Sequence, residues 1–249
     1  AATIARVPLI AIAVGLSLVG SLGGLLVASC LLLLRGSFHQ NFVPTLISYA
    51  VGALLGVALL ALLPEALSTL DAPAVFTTLL AGILGFFMLE KLVIWRHCHT
   101  NDCDAHDSSA TLILVGGAVH NFADGCIIGA AVLSSVPLGV STALAVAAHQ
   151  IPQEIGDFAI LIGAGYSKRR ALISNTLAAT TGVVGALIIY GASEWIPMGL
   201  PYILAFAAGN FLYVAMADLI PGLHRGTIDV SAVRQVILIA AGIATVVAF

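Results

Sequence analysis

Charge is what this chain has least of. Of 249 residues only 8% are charged against 60% hydrophobic, and mean hydropathy is +1.11. Water-soluble globular domains do not have this composition. The 9 lysines and arginines are dispersed, against 12 acids and a formal net charge of -3, so no basic face exists to hold nucleic acid. Cysteine is also scarce: Cys30, Cys98, Cys103 and Cys126 have no disulfide-scaffold spacing, and Cys30 and Cys126 sit in apolar runs as small hydrophobes. They do not identify a redox compartment. Also missing are the ten-residue alternating segments of a membrane β-barrel, so the fold class is all-α. No polar stretch is long enough to fold alone, and residues 1–249 read as a single transmembrane domain.

What fills the chain is long apolar runs. The first, Val7 to Leu34, is too long for the apolar core of a signal peptide and has no clear small-residue cleavage site, so it reads as a membrane span. About 20 apolar residues cross the hydrocarbon layer. Cutting the chain at its polar breaks gives eight transmembrane helices, at 7–34, 42–68, 74–95, 110–134, 138–164, 170–191, 199–221 and 233–249. Arg35, Arg96, Lys168, Arg169, Arg170, Arg225 and Arg234 all fall in the odd-numbered loops, which places those loops in the cytoplasm and both termini outside. Arg6 is the one contrary charge. Trp95 and Trp195 lie at span ends, where interfacial anchors belong.

Against this background two segments stand out: His120-Asn121-Phe122-Ala123-Asp124-Gly125 in the fourth span and His149-Gln150-Ile151-Pro152-Gln153-Glu154 in the fifth. Ionisable groups at membrane depth cost roughly 2.5 to 3.5 kcal/mol on insertion scales, so they tend to mark function. His120 and Asp124 are four apart and share a helix face, with imidazole and carboxylate in chelating reach. In the fifth span His149 and Gln153, and Gln150 and Glu154, are paired in the same way, and Asp157 follows one turn after Gln153. Pro152 removes a backbone donor inside that helix and is expected to loosen or kink it. One such residue would be explained equally well by a hydrogen bond to a neighbouring helix. Two adjacent spans with matching sets point to a shared polar or metal site. Imidazole with carboxylate and amide oxygen suits Zn(II), Fe(II), Mn(II), Co(II) or Cd(II), whereas Ca(II) and Mg(II) favour all-oxygen shells.

These paired segments resemble the signature of the ZIP (Zrt/Irt-like protein) metal transporters. Leu62-Leu63-Pro64-Glu65-Ala66, Glu90-Lys91, Ala205 to Gly209, Leu212-Tyr213 and Asp218 to Pro221 are similar to that family as well, though each is weak alone. The resemblance implies an eight-helix ZIP-like bundle with outward termini and uptake of Zn(II), or of Cd(II), Fe(II) or Mn(II), into the cytoplasm. It also implies an elevator-type mechanism, in which a helix bundle carries metal past a static scaffold. The metal residues it implies are His120, Asn121, Asp124, His149, Gln150, Gln153 and Glu154. One site would use His120, Asp124, His149 and Gln153, and a second would lie near Asn121, Asp124, Gln150 and Gln153. This chain departs from the family where Gln150 replaces a common glutamate. The second site loses a charge, so the first is expected to be occupied and the second weak or empty. Val57 and Ala61 replace residues that are polar in one branch of the family.

The stretch Arg96 to Ser109 holds three histidines, two cysteines and three aspartates before Ser108, without paired C-x-x-C spacing. It reads as a flexible cytoplasmic metal acceptor or sensor, and deleting 97–107 is expected to alter uptake more than folding. Asp157 would continue a metal path toward that side. Glu65, Asp71 and Glu194 lie near the outer surface, where they read as solvated helix ends before they read as acids that attract cations to an entrance; Asn210 and Asp218 suit helix-helix hydrogen bonding and transport equally, and His39 and His224 look interfacial. The expected partners are a divalent metal ion, the lipid bilayer and a second copy in a homodimer, in a bacterial inner membrane or another plasma membrane. The alternative from another class is a membrane-embedded zinc-dependent hydrolase with Glu154 as base.

Overall fold

The computed structural model describes residues 2–32, 36–95, 105–195, 197–223 and 230–248, and every regular element among them is helical. They are α1 (Ala2–Leu18), α2 (Gly24–Leu32), α3 (Gly36–Gly56), α4 (Leu63–Leu67), α5 (Ala72–Trp95), α6 (Ala105–Ser134), α7 (Val136–Gly163), α8 (Lys168–Ala192), α9 (Leu200–Tyr213), α10 (Ile220–Leu223) and α11 (Val230–Val247). The all-α class follows. Local chemistry sets several ends: the Ser135 hydroxyl accepts from the Leu138 amide at 3.3 Å, and the Ser167 hydroxyl accepts from the Arg170 amide at 3.2 Å, each satisfying an orphan donor at a helix start. Gly165, at φ +87°, makes the left-handed turn after α7.

Among the described residues six stretches are long and apolar enough to cross a membrane: Leu9–Cys30, Val43–Leu67, Ala72–Lys91, Ile113–Ser134, Lys168–Ala192 and Leu200–Leu223. The chain is therefore an integral, multi-pass membrane protein. The fifth and eighth predicted spans do not meet that standard. α7 is 28 residues long but carries His149, Gln150, Gln153, Glu154 and Asp157, and the apolar part of α11, Ala232–Val247, is short. The polar breaks predicted in the sequence fall close to helix ends, with two differences. Residues 105–109 are the first turn of α6, and Pro152 lies inside an unbroken α7.

Among the described residues three π-helical segments, Val19–Gly23, Val57–Leu62 and Val214–Leu219, interrupt the first, second and seventh spans. Such segments leave the apolar composition unchanged, so span prediction passes over them, and they tend to accompany functional sites.

The helices pack in two groups. α6 lies along α8 and α7, and α1 and α2 join that set. α3 lies along α11 and α5 along α9, with α4 against α9. The groups meet mainly where α3 faces α7, around the buried Leu54, Val57, Ile128, Val146 and Phe211. Within the first group the α6 and α8 backbones touch: a Cβ on Gly125 would run into the Gly182 carbonyl. Small residues of this kind replace the hydrophobic effect as the source of helix association in lipid.

Candidate metal centre

One turn of α6 presents His120 and Asp124, and α7 brings His149 to the same point. His120 Nε2 lies 3.2 Å from His149 Nε2, while Asp124 Oδ2 lies 3.4 Å from the first nitrogen and 3.2 Å from the second. All three ligand atoms fall within 4.8 Å of one another. Asp124 and His149 are fully buried. His149 Nδ1 sits 3.1 Å from the Ala145 carbonyl, so the N–H at Nδ1 donates there and the Nε2 lone pair faces the cluster. Aromatic rings hold both imidazoles: Phe86 meets His120 edge-on at 5.8 Å, and Phe211 packs against His149 at 6.1 Å. Converging nitrogen lone pairs beside a buried carboxylate need positive charge between them. A dication with borderline preference supplies it.

Beside this triangle lies a second polar set of different character. Asn121 Nδ2 donates to the Gly117 carbonyl at 2.9 Å, which turns its Oδ1 toward α7. Gln150 Nε2 donates to that oxygen at 2.5 Å and reaches Glu154 Oε1 at 3.4 Å. Asn121, Gln150 and Glu154 are all buried. Gly24, at the start of α2, presses on this set: a Cβ there would stand 2.9 Å from the Gln150 Cβ.

His120 also borders a cavity of about 180 Å³, whose wall includes Glu90, Gln153, Asp157, Tyr213 and Asp218. Gln153 thus stands on the cavity wall with His120. The Tyr213 hydroxyl donates to the Glu90 carboxylate. The cavity lies toward the α5–α6 connection, since it takes its α6 wall from Ile113, Gly116 and Gly117, on the N-terminal side of His120.

Of the seven predicted metal residues, His120, Asp124 and His149 come together as a ligand triangle. Asn121, Gln150 and Glu154 form the adjoining hydrogen-bonded set, and Gln153 faces the cavity. Asp157 and Asp218 line the same cavity, while Asn210 is buried in α9. Cys126 is half-buried and free. Residues 96–104 of the histidine-rich connection and His224 lie outside the described residues, as do the side chains of 105–109 and His39. The supporting groups Ala145, Phe86 and Phe211 carry no signal in the sequence, because each contact depends on side-chain direction rather than on a motif; Glu90 and Tyr213 fall in segments similar to the family, but their pairing does not show there.

The family profile described as ZIP Zinc transporter matches residues 96–249. Zinc transporter ZIP13 of Pongo abelii is 31% identical over 229 residues, covering 86% of this chain and 68% of that protein. Zinc transporter ZIP4 of Mus musculus is 47% identical over 114 residues, covering 45% of this chain and 17% of that protein. Zinc transporter foi of Drosophila melanogaster is 41% identical over 114 residues, covering 45% of this chain and 16% of that protein. Against ZIP4 and foi, then, this chain spans less than a fifth of the relative's length. These relatives are animal proteins and lend no support to the expected bacterial inner membrane.

Proposed function

Because this chain belongs to the ZIP zinc transporter family, we propose that it moves divalent transition-metal ions, zinc foremost, across the membrane into the cytoplasm. Three buried ligand atoms converging within 4.8 Å, beside a cavity that His120 borders, are the observation that carries this reading. Zn(II) is the substrate, held by His120, Asp124 and His149, and Cd(II), Fe(II) and Mn(II) suit the same donors. Gln153, Asp157 and Asp218 line its route. Counting α7 and α11 as crossings gives eight spans with both termini outside, and the charge distribution then puts the cavity on the cytoplasmic side. The two packed helix groups suit elevator motion: α1, α2 and α6 to α8 carry the ion past α3 to α5 and α9 to α11. The family model and the relatives are described as zinc transporters, and no observation favours the hydrolase. A homodimer is the expected assembly.

In this reading the second polar set holds no metal. The Gln150 amide stands between the Asn121 and Glu154 oxygens and donates to both, in the place where a cation would bridge them. Metal uptake into sealed proteoliposomes tests the whole proposal. Wild type accumulates zinc, while His120→Ala and His149→Ala do not. Normal transport by both variants removes the site assignment, and lipid turnover without flux revives the hydrolase.

A further inference from the structure

A second cavity, of about 590 Å³, lies at the opposite end of the same helices. Its walls include Ala61 and Glu65 of the second span, Ser135, Leu138 and Ser141 at the start of α7, and Val246 of α11. Glu65 is the one ionisable side chain among the described residues that line it. Its carboxylate accepts a hydrogen bond from the Ser134 hydroxyl. That bond joins α4, in the second helix group, to the last residue of α6, in the first. Ser134 is ten residues beyond Asp124 on α6, roughly 15 Å along the axis. The buried Ile128, Ala131 and Val132 lie on α6 between Asp124 and Ser134, and they belong with Val146 and Leu62 to one apolar cluster.

We propose that the Glu65–Ser134 hydrogen bond is a latch that keeps this far mouth closed, and that its release frees Glu65 to attract the incoming dication. The inference rests on the transport reading, because a latch between two helix groups matters only if the groups move. A hydroxyl on a carboxylate makes a strong bond for its size. Among the described residues it is a single bond without an opposing cation, and so it can open. While Ser134 is donating, part of the carboxylate charge is occupied. Once α6 withdraws, the same group becomes an uncompensated negative charge on a cavity wall, which concentrates cations there.

Ser141, buried with its hydroxyl on the Leu138 carbonyl, reports on the mouth. In a chain with its four cysteines replaced by serine, Ser141→Cys is expected to react slowly with a maleimide in detergent micelles. Adding Ser134→Ala should speed the reaction several-fold, and Ser134→Thr, which keeps the hydroxyl, should leave it slow. Equal rates in the Ser134→Ala and parent chains overturn the latch. In proteoliposomes Glu65→Gln should raise KM for zinc by up to about tenfold, at the low end of electrostatic focusing, with kcat retained. An unchanged KM overturns the capture role. Labelling does not need flux, so a parent chain that transports nothing removes the transport reading while labelling still judges the contact.

Discussion

Two polar clusters made by the same two helices lie side by side, and they are opposite in design. In the first, His120, Asp124 and His149 direct three acceptor atoms at one point. Nothing of the protein's own sits at their centre. In the second, the Gln150 amide donates to one oxygen of Asn121 and one of Glu154, while Glu154 Oε2 and the Gln150 carbonyl oxygen have no hydrogen-bond partner among the described residues. Burial is nearly the same in both, so burial does not make a site. An unmet need for positive charge does, and it is greater where three ligand atoms converge with no protein donor between them than where the Gln150 amide supplies two hydrogen bonds of its own.

The sharpest break in the comparison comes from removing a ligand of the first cluster. Asp124→Ala or His149→Ala should weaken zinc binding by at least about 100-fold, more than the loss of an outer-shell partner usually costs, and should abolish uptake. Isothermal titration of the purified protein with zinc checks the affinity. Wild-type binding in both variants would show that the triangle is structural.

The next test turns the second cluster into the first. Gln150→Glu exchanges the internal donor for a carboxylate, placing two acids and the Asn121 oxygen together. Zinc stoichiometry should rise from one to two per chain. Without metal the variant should melt at lower temperature, because like charges are buried together, and zinc should restore the loss. Two equally tight sites already present in the wild type would contradict this account of the amide.

Much of this contrast was legible before the structure. The His120 and Asp124 pair follows from helical spacing, which is local, and the polar breaks follow from turn and charge chemistry. Gln150 stands out as an amide where the family pattern has an acid. Not legible was the direction of contacts between helices: that Gln150 would donate to Asn121, that Gln153 would face the cavity, or that Ala145 would fix the His149 ring. α7 shows the same limit in another form. The residues that build the site also make it too polar to meet a hydropathy standard for a membrane span.

A weaker test cuts the second cluster without touching the first. Asn121→Ala removes the oxygen that receives the Gln150 amide at 2.5 Å and strands a buried donor. Stability should fall by about 1 to 3 kcal/mol, read from thermal unfolding without metal. Zinc affinity at the triangle should change by less than about tenfold, the low end for an outer-shell partner. A larger loss would mean that the two clusters bind as one.

The smallest effect is expected at Gly24, which touches the second cluster only from behind. A methyl group there would press on the Gln150 Cβ at 2.9 Å, closer than carbon atoms pack, so Gln150 or α2 must give way. Gly24→Ala therefore sets a cost of overpacking, about 1 kcal/mol at the low end of such changes, against the helix propensity gained by replacing glycine. A drop of a few degrees in melting temperature is the expected balance. Because the push falls on Gln150 and not on His149, zinc affinity and uptake should stay at wild-type values. If this variant loses zinc as His120→Ala does, the position of Gln150 controls the ligand triangle, and the two clusters cannot be treated as separate.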